Sequence, residues 1–368
     1  MRFLSTILFS ILFAFNAFAQ IDLELDISDT PNNNKLEFNK NNNEQKDNTD
    51  NTSILDNALS IFKKGSSSSN IPTAPIDDLL KRADAGDVEA QLDLGYMYLY
   101  GVNGANIDYK QSLHYYELAA NSGNAIALNN LGSLHFNGIG TEVNYAKAIG
   151  FFKEASKLGS DDASVNLAII YLGDNNSNSH PDTYATVFKL LNKAKNNSIA
   201  KYLIGYSHYV GFWVEKDLKK AFELIKDVAD NDLYDEAQYV LAEFYINGLA
   251  TPKNYNKAVT YLTNASNQGY PDAVYKLGDI YADGVMYTRD LKKAHIQYNI
   301  AAVIGKEEAA KKRDLLEESI KIEDLLLIQA EAENYQASPS EKTLFIRRTY
   351  GNSLKTYIDK NVGYISLQ

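Results

Sequence analysis

The chain has 368 residues, a formal net charge of -11 and a sequence pI near 5.0, a balance that argues against general binding to nucleic acid or anionic lipid. It has no cysteine, which excludes disulfides, thiolate zinc sites, cysteine nucleophiles and lipid attachment to cysteine. Tyrosine is abundant, with 26 against 15 phenylalanines and one tryptophan.

Residues 1–19 read as a secretory signal. Arg2 supplies the positive charge, Phe3 to Phe15 is mostly apolar, and Ala17-Phe18-Ala19 is a small-x-small cleavage site. The apolar run is short for a membrane anchor of about 20 residues, so the expectation is cleavage and an exported chain without a transmembrane span. Residues 20–75 are rich in Asn, Asp, Lys and Ser and bury too little apolar surface to offset their ordering entropy, which predicts a disordered leader. Ile21 to Ile27 alternates like a strand and Ile54 to Phe62 has the spacing of one amphipathic helix; they read as chance clusters within that leader, with docking on a partner as the alternative.

Ile76 opens a helix that Asp77 or Asp78 can cap. Beyond it the chain repeats. Ala90, Ala127, Ala163, Ala200, Ala237 and Ala273 each precede a leucine or isoleucine by four residues and a glycine or alanine by five, and successive alanines lie 37, 36, 37, 37 and 36 residues apart. So constant a step identifies a repeat array over 76–305. In each unit the spacing is helical: Ala90, Leu94 and Tyr98 fall on one face of a first helix, A, which Gly101 ends. Asp108, Asn144, Asp217, Asn254 and Asp290 are N-caps for a second helix, B, which carries small and large residues in turn, as Ala148, Phe152 and Ala155 do. Small residues at fixed places let two helices approach closely, and the large one fills the gap. The third unit departs from the pattern, with Ala168 and Asp174 in place of glycines and a longer polar loop from Asn175 to Pro181.

The order of small residue, Leu-Gly, aromatic, Gly, Asp/Asn, Lys-Ala and terminal Gly resembles that of Sel1-like repeats, relatives of the tetratricopeptide repeats. Ala127, Leu131, Gly132, Gly138, Asn144, Lys147, Ala148 and Gly159 carry the likeness best, and Gly278 to Gly284 with Asp290 to Ala294 nearly as well. The likeness implies an all-α fold, a right-handed α/α superhelix of about six helix-turn-helix repeats. Residues 306–335 resemble the closing helix pair of such arrays, where Leu325-Leu-Leu-Ile328 would cover the last open core edge. Sustained heptads, which a coiled-coil dimer would need, are missing. The segment 336–368 lies outside the repeat; its apolar and aromatic residues suit either two short strands or a strap folded back on the array.

No catalytic constellation is legible, no cofactor or metal motif is present, and the expectation is a protein that is not an enzyme. His135 and His208 stand where other repeats have Tyr98, Tyr171, Tyr245 and Tyr281, so they read as core aromatics. His114 and His295 have no second ligand one turn away, and His180 lies in the polar loop. Ser60-Ile-Phe-Lys63 matches the Ser-x-x-Lys nucleophile signature but sits in the leader without a Lys-Thr-Gly partner, a coincidence of sequence.

A binding surface remains. In tetratricopeptide arrays the concave face is lined by A-helix residues beside the packing positions. That register points Leu92, Tyr96, Asn129, Ser133, Val165, Ile169, Tyr202, Tyr206, Tyr239, Glu243, Tyr275 and Asp279 inward. Tyr96, Tyr202, Tyr206, Tyr239, Glu243, Tyr275 and Asp279 are the candidate partner-binding residues, since tyrosine offers contact area and a hydroxyl at low entropy cost. Packing between repeats is the competing explanation for several of these rings. The resemblance to exported Sel1-like proteins of Gram-negative intracellular bacteria implies an adaptor or scaffold binding envelope or outer-membrane proteins, with a link to virulence or host interaction. The rival reading is a peptidoglycan- or glycan-binding module or an envelope hydrolase. The expected location is the periplasm or cell envelope, with the cell surface and the medium as further destinations.

Overall fold

The six alanines of the fixed period lie inside the packed helices. In the computed structural model, which describes residues 74–173, 181–284, 286–351 and 353–359, Ala90, Ala127, Ala163, Ala200, Ala237 and Ala273 have no exposed surface. The signal-like segment, the leader with Ser60 to Lys63, Asp174 and His180 lie outside the described residues.

A leading helix α1 (Ile76–Asp84) is followed by the A and B helices in alternation. The A helices are α2 (Val88–Tyr100), α4 (Ala125–Asn137), α6 (Asp161–Gly173), α8 (Ser198–Val210), α10 (Asp235–Asn247) and α12 (Pro271–Asp283). The B helices are α3 (Tyr109–Asn121), α5 (Tyr145–Lys157), α7 (Pro181–Lys193), α9 (Leu218–Asn231), α11 (Tyr255–Asn267) and α13 (Leu291–Val303). Then come α14 (Glu307–Glu317), α15 (Ile322–Glu333), α16 (Glu341–Tyr350) and a helical turn at 355–359. No strand occurs among the described residues.

The predicted caps form. Asp108 accepts from the backbone N–H groups of Lys110 and Gln111, while Asn144, Asp217, Asn254 and Asp290 each accept from the N–H three residues on. The same cap residue closes the A–B loop, because its own N–H donates to the carbonyl of the repeat's aromatic position: Asp108 to Tyr98 at 2.8 Å, Asn144 to His135 at 2.8 Å and Asn254 to Tyr245 at 3.0 Å. One conserved-in-place residue thus starts helix B and fixes its direction. At the other side of the loop, Gly101 ends α2 at φ +63°, and a Cβ there would also meet Ile107 at 2.7 Å. Asp77 and Asp78, expected as caps, instead lie in the first turn of α1 behind Pro75, where no side chain caps. Pro75 takes the cap place in an extended conformation, so the cap lies two or three residues before the expected acids.

The mid-A glycine has a specific partner. A Cβ on Gly95 would stand 2.7 Å from the Tyr116 ring, on Gly132 2.7 Å from Phe152, and on Gly278 2.6 Å from Tyr298. In these three repeats helix A lies directly on the aromatic of its own helix B, whereas a Cβ on Gly205 would meet Ile225 at 3.0 Å. Because A helices are covered on more than one side, they bury long runs, Ala127 to His135 in α4 for example, whereas α5 buries only Ala148, Ile149, Phe152, Ala155 and Ser156. The core is accordingly a series of overlapping nearest-neighbour clusters. One joins Leu79, Leu94, Met97 and Tyr115 from α1, α2 and α3, and the next joins Leu99, Tyr116, Leu131 and Leu134 from α2, α3 and α4.

The contacts divide the chain into two compact units, Met1–Val187 and Phe188–Gln368, with the boundary inside α7. In the second unit α14 and α15 pack on α13, with Ala309 and Ile328 buried against Ala294, Tyr298 and Ala301. Of the predicted edge cover, Leu325 and Ile328 face the core while Leu326 and Leu327 are 65% and 70% exposed, since a helix turns consecutive residues to different sides. Residues 335–359 do not form strands. They make α16 and the turn 355–359 and run back over α8, α10 and the end of α11.

Candidate partner-binding site

The candidate residues divide into three environments. Tyr96, in the first unit, is half-buried and packs on Tyr100 with ring centroids 4.5 Å apart. Tyr202 is fully buried in the second unit and its hydroxyl donates to Glu236 at 2.7 Å, so it holds repeats together in the way that packing between units predicts. Tyr206 is 6% exposed and donates to Asp359 of the C-terminal segment at 2.8 Å. Neither ring is open to a partner while that segment is seated.

Tyr239 and Glu243 of α10 and Tyr275 and Asp279 of α12 form the third group, all part-exposed. Helical spacing of four places each Tyr one turn before its acid, and the two helices present the pairs side by side. Each acid is paired with a lysine of a following element: Lys276 lies 3.4 Å from Glu243 and Lys312 2.5 Å from Asp279. Lys312 also stands over the Tyr275 ring at 4.6 Å, and Tyr298 donates to Asp279 at 2.7 Å. Burial, followed by the nearby Glu243, raises the Tyr239 hydroxyl above its ordinary range, so it stays protonated and can donate. What results is an amphipathic strip of rings, carboxylates and ammonium groups. Such a surface can bind a peptide or a protein.

The other positions of the inward register are internal. Asn129, Ser133, Val165 and Ile169 are all buried, and Asn166 donates to Asn129 at 3.0 Å from one A helix to the next. His135 stacks on Phe151 with centroids 5.5 Å apart, and burial, then Lys147, lowers its pKa. His208 lies with Nδ1 3.1 Å from the Glu215 carbonyl, and buried His295 places Nε2 3.0 Å from Glu317. Exposed His114 packs edgewise on Tyr115.

Residues that the repeat pattern does not single out make the most connected polar site. Asp235 and Glu236 open α10 and are 1% and 0% exposed. Glu236 accepts from the hydroxyls of Tyr202 and Tyr234, both at 2.7 Å, and from the backbone N–H groups of Leu354 at 3.0 Å and Lys355 at 2.8 Å. Asp235 pairs with Arg347, which also donates to the Gln268 carbonyl at 3.0 Å. Gln268 accepts from Ser340 N–H at 2.9 Å and from the Thr343 hydroxyl at 2.7 Å, and its amide donates to Gln238 and to the Leu233 carbonyl. Burial raises the carboxyls of Asp235 and Glu236, opposed by Arg347 in one and by the tyrosine donors in the other. Burial also lifts the Tyr202 and Tyr234 hydroxyls well above the ordinary range, which keeps both as donors. A sequence signal for this site exists but is faint. Glu236 fills a place that Ile126 and Ile199 hold in two repeats but that Glu89, Asp162 and Asp272 hold in the other three, and an acid in a first turn suits any helix N-terminus.

Helix pairs of one length, stacked in order at one period, define an α-solenoid repeat protein. A family model described as the Sel1 repeat matches residues 88–124, 125–160, 198–226, 235–270 and 271–302, and passes over 161–197, the divergent third unit. The chain is a Sel1-like repeat protein. A putative sel1-like repeat-containing protein of Acanthamoeba polyphaga mimivirus is 29% identical over 133 residues, 36% of this chain and 23% of that protein. Among solved structures, a protective antigen of uropathogenic Escherichia coli with an SLR fold superposes with a TM-score of 0.62 at 20% identity, over 86% of this chain and 64% of that one. The chain thus spans about a quarter of the first relative and less than two thirds of the second, and the second likeness speaks for the fold alone.

Sel1 repeats are generally protein–protein interaction modules, and the Sel1-repeat solenoid family is generally non-enzymatic. No helix among the described residues is long and apolar enough to cross a membrane.

Proposed function

We propose that this chain is a non-enzymatic adaptor that binds a protein partner along the A-helix face of its later repeats. The observation that carries the reading is the part-exposed strip of Tyr239, Glu243, Tyr275 and Asp279 on consecutive A helices. Rings beside carboxylates suit a partner segment with apolar and basic side chains, which would exchange with Lys276 and Lys312. The signal-like residues 1–19 support export to a bacterial envelope, and the E. coli neighbour, described as a protective antigen, is compatible with a role in host interaction.

Crosslinkers placed at Glu243 or Asp279 in living cells test the reading. A captured protein that is lost in Tyr239→Ala or Tyr275→Ala, at an unchanged melting temperature, is the expected result. Binding to purified peptidoglycan with no protein captured would replace the adaptor by a glycan-binding module.

A further inference from the structure

The face of α8 and α10 is already occupied by a peptide, and that peptide belongs to the chain itself. Residues 335–359 begin with Tyr335 donating to the Ser266 carbonyl at 2.5 Å and Ser338 N–H to the Asn267 carbonyl at 2.7 Å, then lay α16 and the turn 355–359 across the repeats. The hold is that of a recognised ligand. Ser340 caps α16 and its N–H reads Gln268, Arg347 reads Asp235, and two successive backbone N–H groups read Glu236. Ile346, Leu354 and Ile358 bury their side chains.

Other repeats of the chain leave the equivalent places uncovered. The same two places at the start of an A helix hold Val88 and Glu89 in the first repeat, where Glu89 is exposed, and Pro271 and Asp272 in the sixth, where the Asp272 side chain is 31% exposed. Acids there are favourable in water beside the helix N-terminus, so Asp235 and Glu236 remain soluble side chains when uncovered. The segment contributes few buried apolar residues for its length, and water can take over its polar contacts.

Resting on the adaptor reading, we propose that the surface formed by Asp235, Glu236, Gln268 and Tyr206 is a peptide-recognition site, and that residues 340–359 are its resident occupant. The external ligand class is a partner helix of the same chemistry: a Ser or Thr cap, an arginine two turns on for Asp235, and a following apolar turn whose N–H groups meet Glu236. Partner and resident segment exclude one another, so the free chain is held closed.

The test uses the full chain and, as probe, a labelled synthetic peptide of residues 336–359. The double variant Arg347→Glu, Leu354→Asp loosens the resident segment and is expected to bind the probe at least tenfold tighter than the unmodified chain; adding Asp235→Ala and Glu236→Gln removes that binding. Equal probe affinity for the unmodified and loosened chains overturns the proposal, as does a concentration-dependent dimer that seats the segment on a second copy. Should the double variant fail to fold, hydrogen exchange on the unmodified chain decides. Opening of the 341–359 amides apart from α10 supports the proposal, and opening only together with α10 overturns it. Because the probe is the chain's own sequence, a failure of partner capture at Glu243 or Asp279 leaves this result independent.

Discussion

The A-helix faces of the two units solve the same packing problem with different chemistry. In the first unit, three buried polar side chains bond within the repeats: Asn166 meets Asn129 on the preceding A helix, Ser133 bonds back to the Asn129 carbonyl, and Gln91 donates to the Ala83 carbonyl. In the second unit, Asp235, Glu236 and Gln268 are completed by groups that lie 72 to 119 positions along the chain. These bonds of the first face are made by the repeats themselves. The second is finished by a segment that the repeat does not encode, and a surface completed by a detachable part is a surface that can change its occupant.

Breaking the second face should cost most. Glu236→Ala leaves Tyr202, Tyr234 and two backbone N–H groups without an acceptor, and is expected to lower stability by about 3 kcal/mol or more. The chain's single tryptophan, Trp213, lies in the second unit and reports its denaturation by fluorescence. Glu89→Ala, at the equivalent place in the first repeat, should stay within about 0.5 kcal/mol. Equal costs at the two positions would erase the contrast.

The scaffold beneath the two faces is shared, so overpacking should be felt alike. Gly132→Leu and Gly278→Leu each force a side chain into an aromatic ring and should cost about 1 to 3 kcal/mol in chemical denaturation. A melting curve unchanged by either would mean that the two helices can separate there freely.

Smaller effects sharpen the comparison. Asn166→Ala removes the bond to Asn129 in the first unit and should cost about 1 kcal/mol, read by chemical denaturation. Tyr206→Phe should cost about 0.5 kcal/mol and speed hydrogen exchange only in 355–359, where Asp359 loses one donor and keeps Lys355.

Much of the scaffold was legible because each repeat reports itself several times over. Asn144, Asn254 and Asp290 cap the helices assigned to them, and Gly101 and Gly138 end theirs in the left-handed region. The cap was expected two or three residues too late, at Asp77 or Asp78, because a first-turn acid and a cap look alike in sequence. The candidate tyrosines were harder. The register that points Tyr202, Tyr206, Tyr239 and Tyr275 to one face is a rule of helix period, but exposure depends on what lies over that face. Tyr202 and Tyr206 are covered by Glu236 and Asp359, and Tyr239 and Tyr275 are not fully covered. Residues 336–359 hold no period that tells strand from helix, and their helices are settled by contacts such as Arg347 with Asp235.

Sequence alone determined the all-α repeat, its period, the caps and the close A–B contact, since all of these depend on residues within one turn or one helix pair. Tertiary structure decided which rings are reachable and that the chain's own segment lies on α8 and α10. Those contacts join residues more than a hundred positions apart through shape and charge, and a local pattern carries no record of its distant neighbour.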